Sequence, residues 1–192
     1  MRCAKDVANF YIDLSNKDKF DDGITNMRIN KLLYFAQGHY LLRTGFPLFD
    51  EDFYAWDFGP VIPKIYQKYS HLQNSRITFT DKSYDFKLFD TVELNVLIDV
   101  SMEYGKYSTS ELVKMTHADI SPWRAAYDSK SQKISKDEIK NHFNLVGEIP
   151  TIDDILKFIP VYDKVNENNI LLLSADEYCP EDDDYAELLN AV

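Results

Sequence analysis

Few side chains in this 192-residue chain have types and spacings that could do chemistry. The histidines are His39, His71, His117 and His142. They show no HxxH, HxH or HExxH spacing, and neither Cys3 nor Cys179 has a second cysteine nearby. Zinc sites need such closely spaced nitrogen and sulfur ligands. The sequence therefore predicts no metal site, and it offers no motif for any other cofactor.

Motifs for nucleophilic catalysis and for phosphate binding are also absent from the sequence. There is no GxSxG elbow, and the six glycines form neither GxxxxGK[ST] nor GxGxxG. Asp182, Asp183 and Asp184 lack the ligand spacing and the central glycine of an EF-hand loop. The sequence thus predicts no catalytic residues.

Asp57 is the one carboxylate whose position suggests a specific role. It lies between two aromatic residues in the segment AWDFGP, directly before a predicted helix. A carboxylate there can accept N–H groups from the first helical turn, and the helix dipole favours its charge. Lys31 and Arg28, on an earlier predicted helix, could pair with it. We interpret Asp57 as a cap that fixes the loop, and an enzyme using Asp57 with a nearby base is the alternative.

The remaining reactive side chains favour structural roles. His117 follows Thr116 and stands six residues before Trp123, and a lone histidine there is more often a structural hydrogen bonder than a ligand. A disulfide between Cys3 and Cys179 is conceivable, but reduced thiols are favoured without an export signal. The amphipathic start MRCAKDVANFYIDL is not a signal peptide, and no apolar run reaches the roughly 20 residues of a membrane span. We expect a cytoplasmic protein.

The elements that must position these residues are mostly helices. Apolar residues at helical spacing predict helices over 4–15 and 25–44, and Gly45 is placed to end the second one in a left-handed conformation. Residues 48–58 are β-like, with Phe53 and Ala55 facing one side. Pro60 and Pro63 then predict the first turn of a helix that runs to about residue 71. Residues 76–80 are a further strand candidate.

Capping boxes divide the second half of the chain. They are Asp90/Glu93, Ser108/Glu111 and Ser135/Glu138, and an apolar helical pattern follows each. Ser121-Pro122 begins another short helix, which contains Trp123. Residues 151–159 and 170–173 predict a short helix and an added strand. The fold class is therefore mainly α with a small antiparallel β element.

Charge divides the chain into two parts. Residues 1–147 carry a net charge of −1, whereas residues 148–192 carry −10 of the total −11. This asymmetry predicts a helical domain over 1–147 and an acidic extension over 148–192 that packs on the domain or on a partner. It argues against direct binding to nucleic acid, which needs a basic face, and it suits a basic protein partner. A solvated tail that maintains solubility is the simpler reading.

Three segments of the chain carry a family signature: INKLLYFAQGHYLLRTGFPLFDEDFYAWDFGPVIPKIYQKY at 29–69, LVKMTHADISPW at 112–123 and ISKDEIKNHF at 134–143. Together they resemble the Panacea domain of prophage-associated antitoxins. The resemblance covers roughly residues 4–145, and His142 replaces a usual tyrosine. The signature positions are Lys31, Leu32, Leu33, Tyr34, Phe35, Trp56, Gly59, Pro60, Thr116, His117, Pro122 and Trp123. KLLYFAQ followed by AWxxGPV is specific, because its elements recur in order at the expected spacing.

The resemblance implies a mostly helical, non-enzymatic domain that binds and neutralises a toxin encoded beside it. Family members pair with very different toxins, including alarmone-synthetase-like enzymes, Fic-type enzymes, RNases and membrane-active peptides, so the domain does not name its partner. We expect partner contacts at the exposed turn edge and in the acidic extension. The candidate contact residues are Tyr54, Asp57, Asp176, Glu177, Tyr178, Glu181, Asp182, Asp183, Asp184 and Tyr185.

The sequence thus predicts a cytoplasmic antitoxin that forms a hetero-oligomer with its toxin and masks the active or substrate-binding site. The first alternative, also implied by the resemblance, is an adaptor that delivers the toxin to a AAA+ protease. The second is the enzyme using Asp57. A transcription factor is disfavoured because no basic recognition helix is present.

Overall fold

The computed structural model describes residues 2–18, 23–129 and 132–151, and these form a mainly helical fold with a small sheet. The helices are α1 (Ala4–Lys17), α2 (Asn26–Thr44), α3 (Pro63–Tyr69), α4 (Thr91–Gly105), α5 (Thr109–Thr116), α6 (Pro122–Asp128) and α7 (Lys136–Val146). The strands are β1 (Phe53–Trp56), β2 (Gly59–Val61) and β3 (Lys133–Ile134). The predicted fold class is confirmed. The helix predicted over 151–159, apart from Thr151, and the strand at 170–173 lie outside the described residues.

Helix α2 is the centre of the fold, and it contacts α1, α3, α4, α5, α7 and β2. The Thr25 side chain accepts a hydrogen bond from the Arg28 N–H at its start, and Gly45 ends it with φ 80°, as predicted. The sequence indicated one broad apolar face. The structure buries the polar side chains of Asn30, Lys31 and Gln37 as well, so α2 is enclosed on almost every side.

These three polar residues of α2 are buried because each one bonds backbone of the segment that follows the helix. Gln37 donates to the Phe49 carbonyl and accepts from the N–H groups of Leu48 and Phe49. Asn30 Oδ1 accepts from the Ile62 N–H at 3.0 Å. A buried polar group is tolerated when its hydrogen bonds are made. These bonds fix the 48–62 segment on the side of α2.

The sheet has the order β2-β1-β3 and is antiparallel throughout. Strands β1 and β2 form a hairpin in which Trp56 faces Gly59, so the two-residue turn is Asp57-Phe58. Burial alternates along β1 as predicted, with Phe53 and Ala55 inside. The sequence did not indicate β2 or β3, which are too short to show a pattern of alternation.

Two predictions for this region are wrong. Pro60 lies in β2, opposite Ala55, and not in a helix. Strand β2 is an edge strand, where the missing N–H of proline costs no ladder bond. Pro63, in contrast, does occupy the first turn of α3. Residues 76–80 form no strand, although the Ile77 N–H donates to the Ile24 carbonyl at 2.7 Å.

The helix starts follow their caps. All three predicted capping boxes are present, at Asp90/Glu93, Ser108/Glu111 and Ser135/Glu138. Cys3 precedes α1 as a free thiol and its Sγ donates to the Asp6 carboxylate at 3.0 Å, whereas Cys179 lies outside the described residues. Each capping box satisfies two N–H groups that the helix leaves unpaired.

The core lies where α2 crosses α4 and α7, and aromatic rings fill it. The Phe35 and Tyr104 rings stack with centroids 3.9 Å apart. Tyr34 makes edge contacts with Phe53 and Phe143, which connects the sheet to α7. Among the described residues, no helix combines the length and apolarity needed to cross a bilayer.

Candidate functional site

Signature residues that are far apart in the sequence meet at the base of the β1–β2 hairpin. We call Lys31, Trp56, Gly59, Pro60, Thr116, His117 and Trp123 the signature cluster. They come from α2, the hairpin, the end of α5 and the start of α6. The contacts among them determine how the Asp57-Phe58 turn is held.

Lys31 is the buried anchor of the signature cluster. Its side chain is wholly inaccessible to solvent, and Nζ donates to the Pro60 carbonyl at 3.0 Å. Burial lowers the pKa of Lys31 to about 7, because the ammonium loses its hydration. The bond ties the edge strand β2 to the central helix across 29 positions of sequence.

Gly59 allows the hairpin to approach α2 and α5 closely. Its φ is 100°, a conformation that other residues rarely adopt. A Cβ at this position would stand 2.6 Å from Thr116 Oγ1 and 2.9 Å from Lys31 Cε. Both the backbone conformation and the available space therefore require glycine here.

His117 packs with its ring flat against a neighbouring aromatic ring. It stacks on Trp123 with centroids 3.7 Å apart, and its Nε2 is buried with no hydrogen-bond partner in the described part of the chain. Burial lowers the pKa of His117, and the charges of Lys31 and Arg124 lower it further. The ring packs against Trp123, and the predicted hydrogen bond is not formed by Nε2.

Trp123 connects α6 to the hairpin. Its Nε1 donates to the Trp56 carbonyl at 2.8 Å. Pro122 is the first residue of α6, as predicted, and the Ser121 side chain caps the helix. The hairpin is thus held from one side by α2 and from the other by α6.

Asp57 occupies the turn, but it does not cap α3. The residue before α3 is Ile62, which provides no side-chain cap. Asp57 Oδ1 instead accepts a hydrogen bond from the Tyr127 hydroxyl at 3.0 Å. The predicted pairing with Lys31 and Arg28 is also wrong. Lys31 donates to Pro60, and Arg28 donates to the carbonyls of Gly105 and Tyr107.

The cap interpretation failed because the turn continues into β2 and not into a helix. The hairpin separates Asp57 from the first turn of α3 by a whole strand. Asp57 still connects the turn to another element, because its carboxylate accepts the hydrogen bond from Tyr127 on α6. Both side chains are exposed at the surface.

A cleft of about 550 Å³ opens beside the turn. Its walls come from the N-terminal part of α2, from the hairpin and from the end of α3. Trp56 and Tyr66 meet edge to face in the wall, with ring centroids 5.0 Å apart and planes at 71°. Phe58 lies at the rim with 63% of its surface exposed, and Asp57 is beside it.

The two candidate contact residues of the hairpin do not share one site. Asp57 lines this cleft, which we call the turn cleft. Tyr54, half-buried on β1, lines a separate depression with Asp52 and Lys64. The other candidates, Asp176, Glu177, Tyr178, Glu181, Asp182, Asp183, Asp184 and Tyr185, lie outside the described residues.

Sequence reasoning missed two residues of this region. Tyr127 was not singled out, although it stands one helical turn after Trp123 and stacks on it with centroids 4.8 Å apart. That i, i+4 spacing of aromatics was the available signal. Tyr66 was visible only as part of an aromatic-rich segment, and its contact with Trp56 depends on the hairpin.

The arrangement is chemically suited to recognition. The turn cleft offers one carboxylate, exposed aromatic faces and side-chain amides on a rigid support. Within residues 2–18, 23–129 and 132–151, no group of three His, Cys, Asp or Glu side chains is placed to hold a metal ion. Carboxylates and aromatic faces together suit a cationic group of a binding partner.

Comparison with known proteins gives two similarities. The family model described as antitoxin SocA-like, Panacea domain, matches residues 29–124. The protein named Antitoxin SocA, from Caulobacter vibrioides, is 32% identical over 134 residues, which cover 62% of this chain and 68% of that protein. No solved structure matches. The matched range contains every residue of the signature cluster.

Proposed function

The chain belongs to the antitoxin SocA-like, Panacea domain family, and from this premise we propose that it neutralises a cognate protein toxin by binding it directly. The supporting observation is the match over residues 29–124. That range supplies α2, the hairpin and the start of α6, which together hold the turn. Family membership supports an antitoxin role, and the mode of neutralisation is our proposal.

In this proposal the domain over 1–147 is a rigid platform and the extension over 148–192 contributes negative charge. Enzymes that act on RNA or on nucleotides carry cationic surfaces for phosphate groups. An acidic segment is attracted to such a surface by the same electrostatics that attract the substrate. The extension carries a net charge of −10, so it would mask the substrate-binding site of such a toxin. Complex formation would take place in the cytoplasm.

The test is co-expression with the product of the adjacent reading frame. The wild-type chain should rescue growth from that product, and the two proteins should co-purify in a fixed ratio. If no neighbouring product is toxic, or if a toxic one neither binds the chain nor is neutralised by it, the proposal is wrong.

A protease adaptor would give a different result with purified components. Masking inhibits the toxin in a stoichiometric mixture that contains no protease. An adaptor leaves the toxin active in that mixture and removes it only when a AAA+ protease and ATP are added. Toxin activity titrated with the chain, with and without protease, distinguishes the two.

An enzyme using Asp57 would neutralise the toxin at ratios far below one to one. Asp57→Asn would then abolish neutralisation without weakening the complex. Under direct binding, neutralisation is complete only when the chain is present at an equimolar ratio to the toxin. Any effect of Asp57→Asn then appears as a change in affinity.

A further inference from the structure

The turn cleft carries a carboxylate with spare acceptor capacity. Asp57 is exposed and accepts one hydrogen bond, from Tyr127. A carboxylate can accept about four. Among the described residues, the ion pairs are made by other acids, so Asp57 holds no cation of its own. The Tyr127 bond engages Oδ1 and leaves the second oxygen available.

Aromatic rings stand beside that carboxylate. Trp56 and Tyr66 form one wall, and the Phe58 ring is exposed at the rim. A guanidinium group stacks on such rings by cation–π attraction, and it binds a carboxylate through two parallel N–H donors. An ammonium group is a compact point charge and makes neither the stack nor the paired bonds as well.

The rim adds neutral acceptors. Gln73, Asn74 and Gln132 line the cleft and are exposed. Their amide oxygens can accept the N–H groups that the carboxylate leaves unpaired. Gln73 and Gln132 have φ of 53° and 52°, which are the positive values of non-glycine residues in the described ranges. Strained backbone of this kind collects at binding sites.

Charge in the cleft favours a cation. Apart from Asp57, the charged residue of the lining is Lys31, and it lies beneath the surface with its Nζ turned to the Pro60 carbonyl. Burial lowers the pKa of Lys31 to about 7, because the ammonium form is disfavoured away from water. The chain as a whole carries −11, which attracts a basic partner.

We propose that the turn cleft is a receptor for an arginine side chain of the partner protein, held between the Asp57 carboxylate and the rings of Trp56, Tyr66 and Phe58. The cleft volume lies in the range of small-ligand sites, which leaves room for the side chain and its flanking backbone. The identification of the partner as the toxin rests on the function proposed above. The recognition of arginine does not.

The first experiment titrates the full-length, ¹⁵N-labelled chain with three capped tripeptides, acetyl-Gly-Arg-Gly-amide and its lysine and leucine counterparts. The arginine peptide should shift the Trp56 indole and Phe58 amide signals and saturate in the millimolar range. The lysine peptide should bind severalfold more weakly, and the leucine peptide should leave these signals unchanged. Equal shifts with arginine and leucine, or none with arginine, would overturn the proposal.

Variants connect the shifts to the cleft. Asp57→Asn should weaken the binding of the arginine peptide by about tenfold or more, because a charge-assisted pair is lost. Phe58→Ala should weaken its binding by about threefold through loss of the exposed ring. Asp119→Asn removes the same charge from an exposed residue that does not line the cleft, and it should bind as wild type does. An Asp57→Asn variant that binds as tightly as Asp119→Asn contradicts the assignment.

The toxin is tested separately. If the wild-type chain binds the toxin, Asp57→Asn should lower the affinity about tenfold relative to Asp119→Asn. If both variants bind the toxin equally, the toxin does not supply the arginine. If the wild-type chain does not bind the toxin but does bind the peptide, the proposed function fails while the arginine site stands.

Discussion

Gly38 of α2 lies directly against the ring of Phe143 on α7. A Cβ added to Gly38 would stand 2.2 Å from Phe143 Cε2, well inside contact distance. The Phe143 ring also packs against Tyr34, Phe35 and His39, so it has little freedom to move away. The contact between the central helix and the last described helix therefore depends on the absence of one methyl group.

We expect Gly38→Ala to destabilise the domain by about 1–3 kcal/mol, because overpacking outweighs the gain in helix propensity. Gly105→Ala is the matched control. It is also helical, and the nearest atom to its added Cβ is Ser101 Oγ at 4.0 Å. That variant should be neutral or more stable by up to about 1 kcal/mol. Urea unfolding followed by far-UV circular dichroism measures the stability of both variants. Equal effects would show that the Phe143 ring moves aside to accommodate the added methyl group.

We expect Gly59→Ala to destabilise the folded protein by more than its positive φ alone explains. The control is Gly45→Ala, with φ 80° and ordinary contact to the flexible Lys140 Nζ at 3.6 Å. A left-handed alanine costs about 1–2 kcal/mol. At Gly59 the clash with Thr116 and Lys31 adds to this, so we expect an excess of at least about 1 kcal/mol. Chemical denaturation of the two variants gives the difference, and the absence of an excess would mean that the signature cluster is loosely packed.

Lys31 should make stability depend on alkaline pH. Its folded pKa of about 7 lies below the usual 10.5. Between these values the unfolded chain binds more protons than the folded one, so the free energy of unfolding rises with pH. The cost of burying the charge is complete below about pH 7 and is relieved progressively above it.

The comparison is wild type against Lys31→Met over pH 7–9. Wild type should gain up to about 1.4 kcal/mol per pH unit relative to the variant, the limit for one proton. Lys64→Met is the control, because Lys64 is exposed and should leave the slope unchanged. Parallel curves for wild type and Lys31→Met would show that Lys31 keeps its charge in the folded protein.

The acidic cluster of the extension should strengthen toxin binding mainly at low salt. Replacing Glu181, Asp182, Asp183 and Asp184 by their amides removes four charges from the full-length chain. We expect weaker binding and a smaller decrease of affinity with rising salt. Amide replacement of Asp153, Asp154, Asp163 and Glu167 removes the same charge elsewhere in the extension. Calorimetric titration at two salt concentrations compares them, and a cluster variant that matches wild type refutes the contact.

Local signals explain how much of the fold the sequence predicted. A capping box such as Ser108/Glu111 involves two residues three positions apart, and the left-handed helix end at Gly45 involves a single residue. Both signals can therefore be recognised in the sequence. Strands β2 and β3 have three and two residues, too few to show alternation. Pro60 was misplaced for that reason, because nothing local distinguishes an edge strand from a first helical turn.

The candidate site was less predictable because its contacts are long-range. Asp57 was singled out from its position in the sequence, but the Tyr127 hydroxyl that donates to it is 70 residues away. The burial of Lys31 depends on a carbonyl 29 residues further on. Hydropathy places a lysine on the surface, and only the assembled hairpin provides the acceptor that lets it be buried.

The exposed edge of a sheet can pair with a further strand, and contacts from α2 prevent such pairing at β2. Lys31 occupies the Pro60 carbonyl and Asn30 occupies the Ile62 N–H, so that edge has these groups already paired. Proline at position 60 removes one more donor. Neither aggregation by edge-to-edge pairing nor recruitment of a partner's strand is open there. A partner must therefore engage this side of the molecule through side chains, whose chemistry can change without disturbing the backbone that presents them.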